Sequence, residues 1–173
     1  MSHPPANCRK STQYLMPATK ESAVPGEYDI YPVHQIADGA ISNSWQELAD
    51  VIASHSVVVL DGYLGVFFDE VQNTLQPLLA EKGVPVNWLN VATAYKDPAE
   101  IEQLTEPFLG GDDPLFGTRT TLSLADFFDP GKLEKLVTDK SFDINIFCGT
   151  GASLAYPNGF MIYFDLPKNE LQY

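Results

Sequence analysis

The sequence is poor in basic residues. Ten lysines and arginines stand against 23 aspartates and glutamates, and the formal net charge is −13. A chain with this charge is repelled by nucleic acids and by anionic membrane surfaces, so we expect neither as a partner. The charge also disfavours a free polyphosphate unless a cation or backbone donors offset the repulsion. Its simplest role is to keep the protein soluble.

Cysteine is also scarce, and long apolar runs are absent. Cys8 and Cys148 are far apart in the sequence, and Cys148 lies in an apolar run. This pattern predicts a reduced core cysteine and no disulfide framework. The sequence has no run of about 18 apolar residues, which a transmembrane helix requires. Its N-terminus lacks the basic and apolar segments of a secretory signal, so we expect a cytoplasmic protein.

Residues typical of metal and nucleophile sites are missing as well. His3, His34 and His55 are widely separated and have no cysteine or acidic partner at ligand spacing, so no metal site is expected. The sequence contains no G-x-S-x-G motif and no cysteine paired with a histidine. Nothing therefore indicates nucleophilic hydrolysis.

Apolar strand patterns alternate with helical patterns from residue 44 onward. The strand patterns cover Val57–Leu60, Val86–Val91, Asp143–Cys148 and Phe160–Phe164. The helical patterns follow a capping box at Ser44–Glu47, cover 66–82, and begin again at Asp97 and continue to about Leu109. This alternation predicts an α/β fold, a three-layer sandwich around a mostly parallel sheet.

The two ends of the chain differ from its middle. Residues 1–27 are polar and rich in proline, which predicts an extended or partly disordered arm before a single α/β domain over 28–173. Asp165, Pro167 and Glu170 form a helix start that has only about two turns before Tyr173. We therefore expect the natural protein to continue into a C-terminal module on which this domain packs.

The first candidate site is the glycine turn that follows the first strand. Gly62 and Gly65 lie between that strand and a helix start, so backbone N–H groups and the positive end of a helix dipole point towards one place. That arrangement suits an anion such as phosphate. Asp61 ends the strand at the edge where open α/β sheets bind ligands, and it could hold Mg²⁺ or a sugar hydroxyl. A purely structural turn capped by Asp61 fits the same pattern.

A second glycine turn follows the third predicted strand. Gly149, Thr150, Gly151 and Ser153 offer backbone donors and two hydroxyls there. These groups could face the same cleft as Asp61, because the carboxyl ends of parallel strands meet at one edge of a sheet.

A polar loop supplies the third candidate. It contains Asp112, Asp113 and Arg119, and Arg119 is the only arginine outside the N-terminal arm. A guanidinium can bind phosphate through two hydrogen bonds, so Arg119 is the best single candidate for a phosphate ligand. A solvent-exposed loop closed by ordinary turns is the alternative.

The order of these segments resembles the layout of uridine-kinase-like P-loop phosphotransferases. That layout has a strand and a P-loop first, later a strand ending in a glycine, and then an apolar strand leading into an aspartate and a helix. The P-loop pattern G-x-x-x-x-G-K-S/T lacks its lysine here, because Val66 and Phe67, and no basic residue, come directly after Gly65. The resemblance therefore implies a P-loop-kinase-like fold with a degenerate P-loop.

Three segments, Val59–Val66, Leu109–Gly117 and Gly149–Leu154, give a closer resemblance. They are similar to the N-terminal region of bacterial, Bacteroidetes-type class I mannose-6-phosphate isomerase-like proteins, over residues 28–173. The resemblance implies a sugar-phosphate protein whose isomerase chemistry and zinc lie in a downstream cupin module. Class I enzymes hold zinc with a glutamine, two histidines and a glutamate. No Gln-x-His unit is present here, so no metal ligand is carried over.

We interpret the sequence as an accessory domain that binds a phosphosugar or a nucleotide and is itself not catalytic. It would need no cofactor beyond the Mg²⁺ that accompanies a nucleotide. Two alternatives stay open. One is a small-molecule kinase for a sugar or nucleoside, with Arg119 in place of the lost lysine. The other is a structural scaffold that packs on a downstream module.

Overall fold

The computed structural model describes residues 26, 37, 39–112 and 116–166. The predicted arm, apart from Gly26, lies outside these ranges, as do Asp113 and the helix predicted after Asp165. The strands are β1 (Val57–Gly62), β2 (Val86–Asn90), β3 (Ile144–Cys148) and β4 (Phe160–Phe164). The α-helices are α1 (Trp45–Ala53), α2 (Phe68–Glu81), α3 (Pro98–Thr105), α4 (Pro130–Leu133) and α5 (Ala152–Ala155). Short 3₁₀ helices span Val91–Ala94, Glu106–Phe108 and Leu124–Phe127.

The four strands form one parallel sheet in the order β2-β3-β1-β4. The two central strands, β1 and β3, are buried along almost their whole length. Near-continuous apolar runs are typical of parallel strands that are covered on both faces. Strand β1 extends past its apolar run, because Asp61 and Gly62 pair with Tyr163 and Phe164 of β4. The predicted α/β class and the parallel sheet are confirmed.

Helical elements cover both faces of this sheet. On one face α1 and α2 pack against Val58 and Leu60, and α2 contributes Val71, Leu75 and Leu79 at four-residue spacing. On the other face Val59 packs with the 3₁₀ helix Val91–Ala94, with Phe128 and with α5. Successive β1 side chains thus enter opposite cores, as the two-residue period of a strand requires.

The connections after β1 and β3 leave the sheet on opposite faces. From β1 the chain passes through α2 and crosses β3 to reach β2, while from β3 it passes through α5 and crosses β1 to reach β4. Where the connections of two neighbouring strands leave on opposite faces, a crevice forms at the carboxyl edge of an open α/β sheet, and ligands bind there. In this chain the crevice lies between the two glycine turns.

The predicted helix over 66–82 begins two residues later than expected. It starts at Phe68, because Val66 and Phe67 still belong to the turn after Gly65. The helix after Asp97 ends at Thr105, and the short 3₁₀ helix Glu106–Phe108 follows it directly. In the described ranges, no helix is both long and apolar enough to cross a membrane.

Candidate functional site

The carboxylate of Asp61 joins the two glycine turns. Its Oδ1 accepts the amides of Gly62 at 2.7 Å and Gly151 at 2.8 Å. Its Oδ2 accepts the amide of Ser153 at 2.9 Å and the Ser153 hydroxyl at 2.6 Å. The residue is buried, with 6% of its surface exposed. The second turn therefore binds an anion with backbone amides, and that anion is the protein's own carboxylate.

These hydrogen bonds determine the charge state of Asp61. Burial by itself raises the pKa of this carboxyl group, but the bonds from the side chain and amide of Ser153 and from the amides of Gly151 and Gly62 outweigh burial. The net effect lowers the pKa below the ordinary value of 3.8, because each donor stabilises the ionised form. Asp61 is ionised at neutral pH, and neither ion pair found among the described residues includes it.

The second turn is shaped by Gly151 and Phe128. Gly151 has φ +86°, a conformation that side chains of L-residues rarely adopt. A Cβ atom at this position would lie 2.6 Å from Cζ of Phe128, which is itself 1% exposed. Phe128 thus packs directly against Gly151 and leaves no room for a side chain there.

Thr150 extends this network to the neighbouring segments. Its hydroxyl donates to the carbonyl of Tyr63 at 3.4 Å, and its carbonyl accepts the hydroxyl of Tyr95 at 3.2 Å. The first turn, the second turn and the segment after β2 are therefore connected at one edge of the sheet.

The first turn has backbone amides with no hydrogen-bond acceptor in the described ranges. Tyr63 donates its amide to Phe164, and Val66 donates its amide to Tyr63. In the same region, the amides of Leu64, Gly65 and Phe67 have no acceptor among the described residues. The first residues of α2 follow directly, and Phe67 provides no side-chain cap for that helix. Free donors and a helix N-terminus thus lie together at this turn.

A cleft of about 340 Å³ adjoins the first turn. It lies between the start of α2, the end of β2 and the second glycine turn. Its lining comprises Val66, Phe67, Phe68, Asp69, Gln72, Asn90, Ala92, Tyr95, Cys148, Gly149 and Thr150. Among the described residues, Asp69 is the only acidic residue in this lining, and no described lysine, arginine or histidine belongs to it. A second cavity of about 490 Å³, beside α1 and Trp45, contains neither glycine turn.

Cys148 and Tyr95 are both uncharged at neutral pH. Burial and, to a smaller extent, the charge of Asp69 raise the pKa of Cys148 to about 12. Burial and the charge of Asp61 raise the pKa of Tyr95 above its usual value of 10.0. A thiol held in this way is a poor nucleophile, because the thiolate is the reactive form. Within the part of the chain that the structure describes, Asp69 is therefore the one charged side chain that lines the cleft.

A family model described as "Domain of unknown function (DUF8485)" matches residues 44–173. The chain belongs to the DUF8485 family. The match begins at Ser44, the N-cap of α1, and includes all four strands and both glycine turns. No curated protein and no solved structure matches the chain.

In this DUF8485 domain the structure brings six of the predicted site residues into one network. They are Asp61, Gly62, Gly149, Thr150, Gly151 and Ser153. Gly65 lies beside them on the exposed first turn, with φ +99°. The expectation that both glycine turns lie at the same edge of the sheet is confirmed. That these residues bind a ligand stays a prediction.

Two residues of the polar loop, Asp112 and Arg119, do not reach the cleft of the DUF8485 domain. Arg119 and Asp112 are both exposed, and neither lines the cleft. The neighbouring Thr118 donates its amide to Phe108, which attaches this segment to the 3₁₀ helix Glu106–Phe108. Asp113 lies outside the described residues.

Several residues that line the cleft were missed by the sequence analysis. Asp69 and Gln72 are three residues apart, a spacing that places them on one face of α2. Asn90 ends β2 at the carboxyl edge of the sheet. Helical spacing and the position at a strand end could have identified these three. Tyr95 carries no such signal, because only the 3₁₀ helix Val91–Ala94 brings it to the cleft.

Proposed function

We propose that the DUF8485 domain binds a small phosphorylated ligand, a phosphosugar or a nucleotide, and is itself not catalytic. The observation that supports this most is the set of free amides on Leu64, Gly65 and Phe67 at the start of α2, beside the cleft. Backbone donors at a helix N-terminus bind phosphate without a lysine. The phosphate would occupy the exposed first turn, and the rest of the ligand would enter the cleft.

No basic side chain in the described ranges lines the cleft, and this argues against phosphoryl transfer. Enzymes of this chemistry depend on positive groups that stabilise the charge developing on the transferred phosphate. Arg119, on which a kinase would rely, does not line the cleft. A bound nucleotide would bring its own Mg²⁺, which offsets the charges of Asp61 and Asp69.

We infer further that the fold descends from a P-loop-kinase-like sheet with a degenerate P-loop. A parallel strand, a glycine turn and a helix without the lysine support this. On the resemblance to mannose-6-phosphate isomerase-like proteins, we place the domain in the cytoplasm as an accessory to an isomerase module. In that arrangement zinc belongs to the cupin module. The exposed side chains of Met161 and Tyr163 on the edge strand β4 offer a surface on which a C-terminal module could pack.

Calorimetric titration with ATP–Mg²⁺ and with mannose 6-phosphate tests the proposal. Binding without turnover supports an accessory binding domain, whereas binding with turnover would replace it by a kinase. If neither compound binds, the domain is a scaffold and the proposal fails.

The variant pair Phe67→Pro and Phe67→Ala tests the role of the free amides. The φ angle of Phe67 is −81°, close to the value that proline requires, so Phe67→Pro removes an amide donor with little backbone change. Phe67→Ala removes the same ring and keeps the amide. We expect Phe67→Pro to bind phosphorylated ligand about tenfold more weakly than Phe67→Ala, because a hydrogen bond to a charged group is lost. Equal affinities would show that the amide takes no part.

A further inference from the structure

We propose that the cleft admits the ligand in one orientation, with its phosphate at the mouth and an uncharged end rich in hydrogen-bond donors inside. Asp69 and Gln72 determine this orientation. The inference rests on the proposed function and assigns specificity-determining residues to the same site.

The charge of the cleft excludes phosphate from its interior. Asp69 lines the cleft, none of the basic residues that the structure describes does, and the ionised Asp61 lies behind the second turn. A phosphate inside would meet the like charge of Asp69 at short range and would be repelled by it. At the mouth it would meet the free amides of Leu64 and Gly65 instead.

The side chains within the cleft need hydrogen-bond donors. No described residue donates to the carboxylate of Asp69, and the side-chain amide of Gln72 has no hydrogen-bond partner within the described ranges. An ionised carboxylate only accepts hydrogen bonds, whereas an amide side chain both donates and accepts. Asp69 and Gln72 are neighbours on one face of α2. Together they match a group that carries several hydroxyls, such as the ring of a sugar or a ribose.

An exposed aromatic ring adds an apolar surface at the same place. Phe67 lines the cleft and has 61% of its surface exposed. Val66 and Phe68 line the cleft beside it. A polyhydroxy ring has apolar C–H faces, so it can cover this surface while its hydroxyls reach Asp69 and Gln72. Binding sites for small molecules commonly combine a mostly apolar lining with a few placed polar groups.

Calorimetry with three probes tests the orientation: a hexose 6-phosphate, the free hexose and inorganic phosphate. Asp69→Asn keeps the shape of the side chain and removes its charge. The matched control is Glu81→Gln, an acidic residue at the opposite end of α2, which does not line the cleft. Both residues are exposed, and thermal melts confirm that each variant is folded.

We expect Asp69→Asn to weaken hexose 6-phosphate binding at least tenfold and to leave inorganic phosphate unchanged or more tightly bound. Glu81→Gln should leave the hexose 6-phosphate affinity within about twofold, because charges on the surface far from a site are screened by solvent and salt. Gln72→Leu is a second variant with the same expected loss.

The outcomes separate the two proposals. If Asp69→Asn binds hexose 6-phosphate as tightly as the wild type or more tightly, the orientation is wrong although the domain still binds phosphorylated ligands. If the wild-type protein binds none of the probes, and also fails to bind ATP–Mg²⁺, both proposals are overturned.

Discussion

The amide and the hydroxyl of Ser153 both donate to one oxygen of Asp61, at 2.9 and 2.6 Å, although the two residues are 92 positions apart in the chain. These hydrogen bonds join the turn that follows β1 to the turn that follows β3. It also means that the amides of Gly151 and Ser153 are already engaged. A ligand at this edge of the sheet therefore depends on the first turn and on the cleft beside it.

Replacing Asp61 by asparagine should destabilise the domain by about 3 kcal/mol, because buried donors lose an ionised acceptor. The asparagine amide group would also face donors instead of accepting from them. Chemical denaturation measures the loss. Asp165→Asn is the matched control, since Asp165 is exposed and also accepts the amide of the next residue, Leu166, at 2.9 Å. Equal stability of the two variants would contradict the role of Asp61.

The stability of the wild-type domain should fall in acid more steeply than that of Asp61→Asn. The pKa of Asp61 is lower in the folded protein than the ordinary value of 3.8 that it regains on unfolding. The ionised carboxylate therefore stabilises the fold fully above that value, and the contribution disappears as pH falls through the folded pKa. Asp126 and Asp139 also have lowered pKa values. Both are present in the wild type and in Asp61→Asn, so they do not contribute to the difference between the two curves. The unfolding free energy measured from about pH 5 to about pH 3 should show the difference. Parallel curves for the two proteins would refute it.

Gly151→Ala should be more damaging than Gly83→Ala. Both glycines have positive φ, +86° and +69°, so both substitutions introduce backbone strain. At Gly83 a Cβ atom meets nothing within 4 Å, and we expect a loss of about 1 kcal/mol. At Gly151 it meets the buried ring of Phe128, and we expect about 3 kcal/mol in total because strain and overpacking add. Thermal or chemical unfolding of the two variants gives the comparison, and a similar loss at both sites would contradict the packing of Phe128 on the turn.

Cys148 should resist alkylation in the folded protein. Its pKa of about 12 compares with an ordinary value of 9.0, so the thiolate fraction falls about a thousandfold at neutral pH. In a Cys8→Ser background, iodoacetamide should modify Cys148 more than a hundredfold more slowly in buffer than in denaturant. Comparable rates in the two conditions would place the thiol in solvent.

Short-range patterns in the sequence identify most of the fold. The run of β-branched residues in Val57–Leu60 and the apolar run Phe160–Phe164 become strands, because such residues suit a covered sheet. Gly83 takes the left-handed conformation that glycine commonly adopts after the end of a helix. The position of both glycine turns at one edge follows from parallel strands that neighbour each other in the sheet.

The details of the site depend on contacts that cross the chain. Nothing near Asp61 in the sequence indicates that Ser153 will donate to it, so its role as an internal anion could not be predicted. The same holds for Phe128, which reaches Gly151 only because the 3₁₀ helix Leu124–Phe127 precedes it. The prediction that Arg119 binds phosphate rests on the chemistry of its side chain alone. Residue type does not show where a loop lies in the fold.

A double-mutant cycle between Asp61→Asn and Ser153→Ala tests the central claim most directly. If the two turns are joined through Asp61, the stability losses should be non-additive by about 1–2 kcal/mol, since the pair shares a charge-assisted hydrogen bond. A control cycle between Asp165→Asn and Ser153→Ala should be additive. Additive losses in the Asp61–Ser153 cycle would contradict the account.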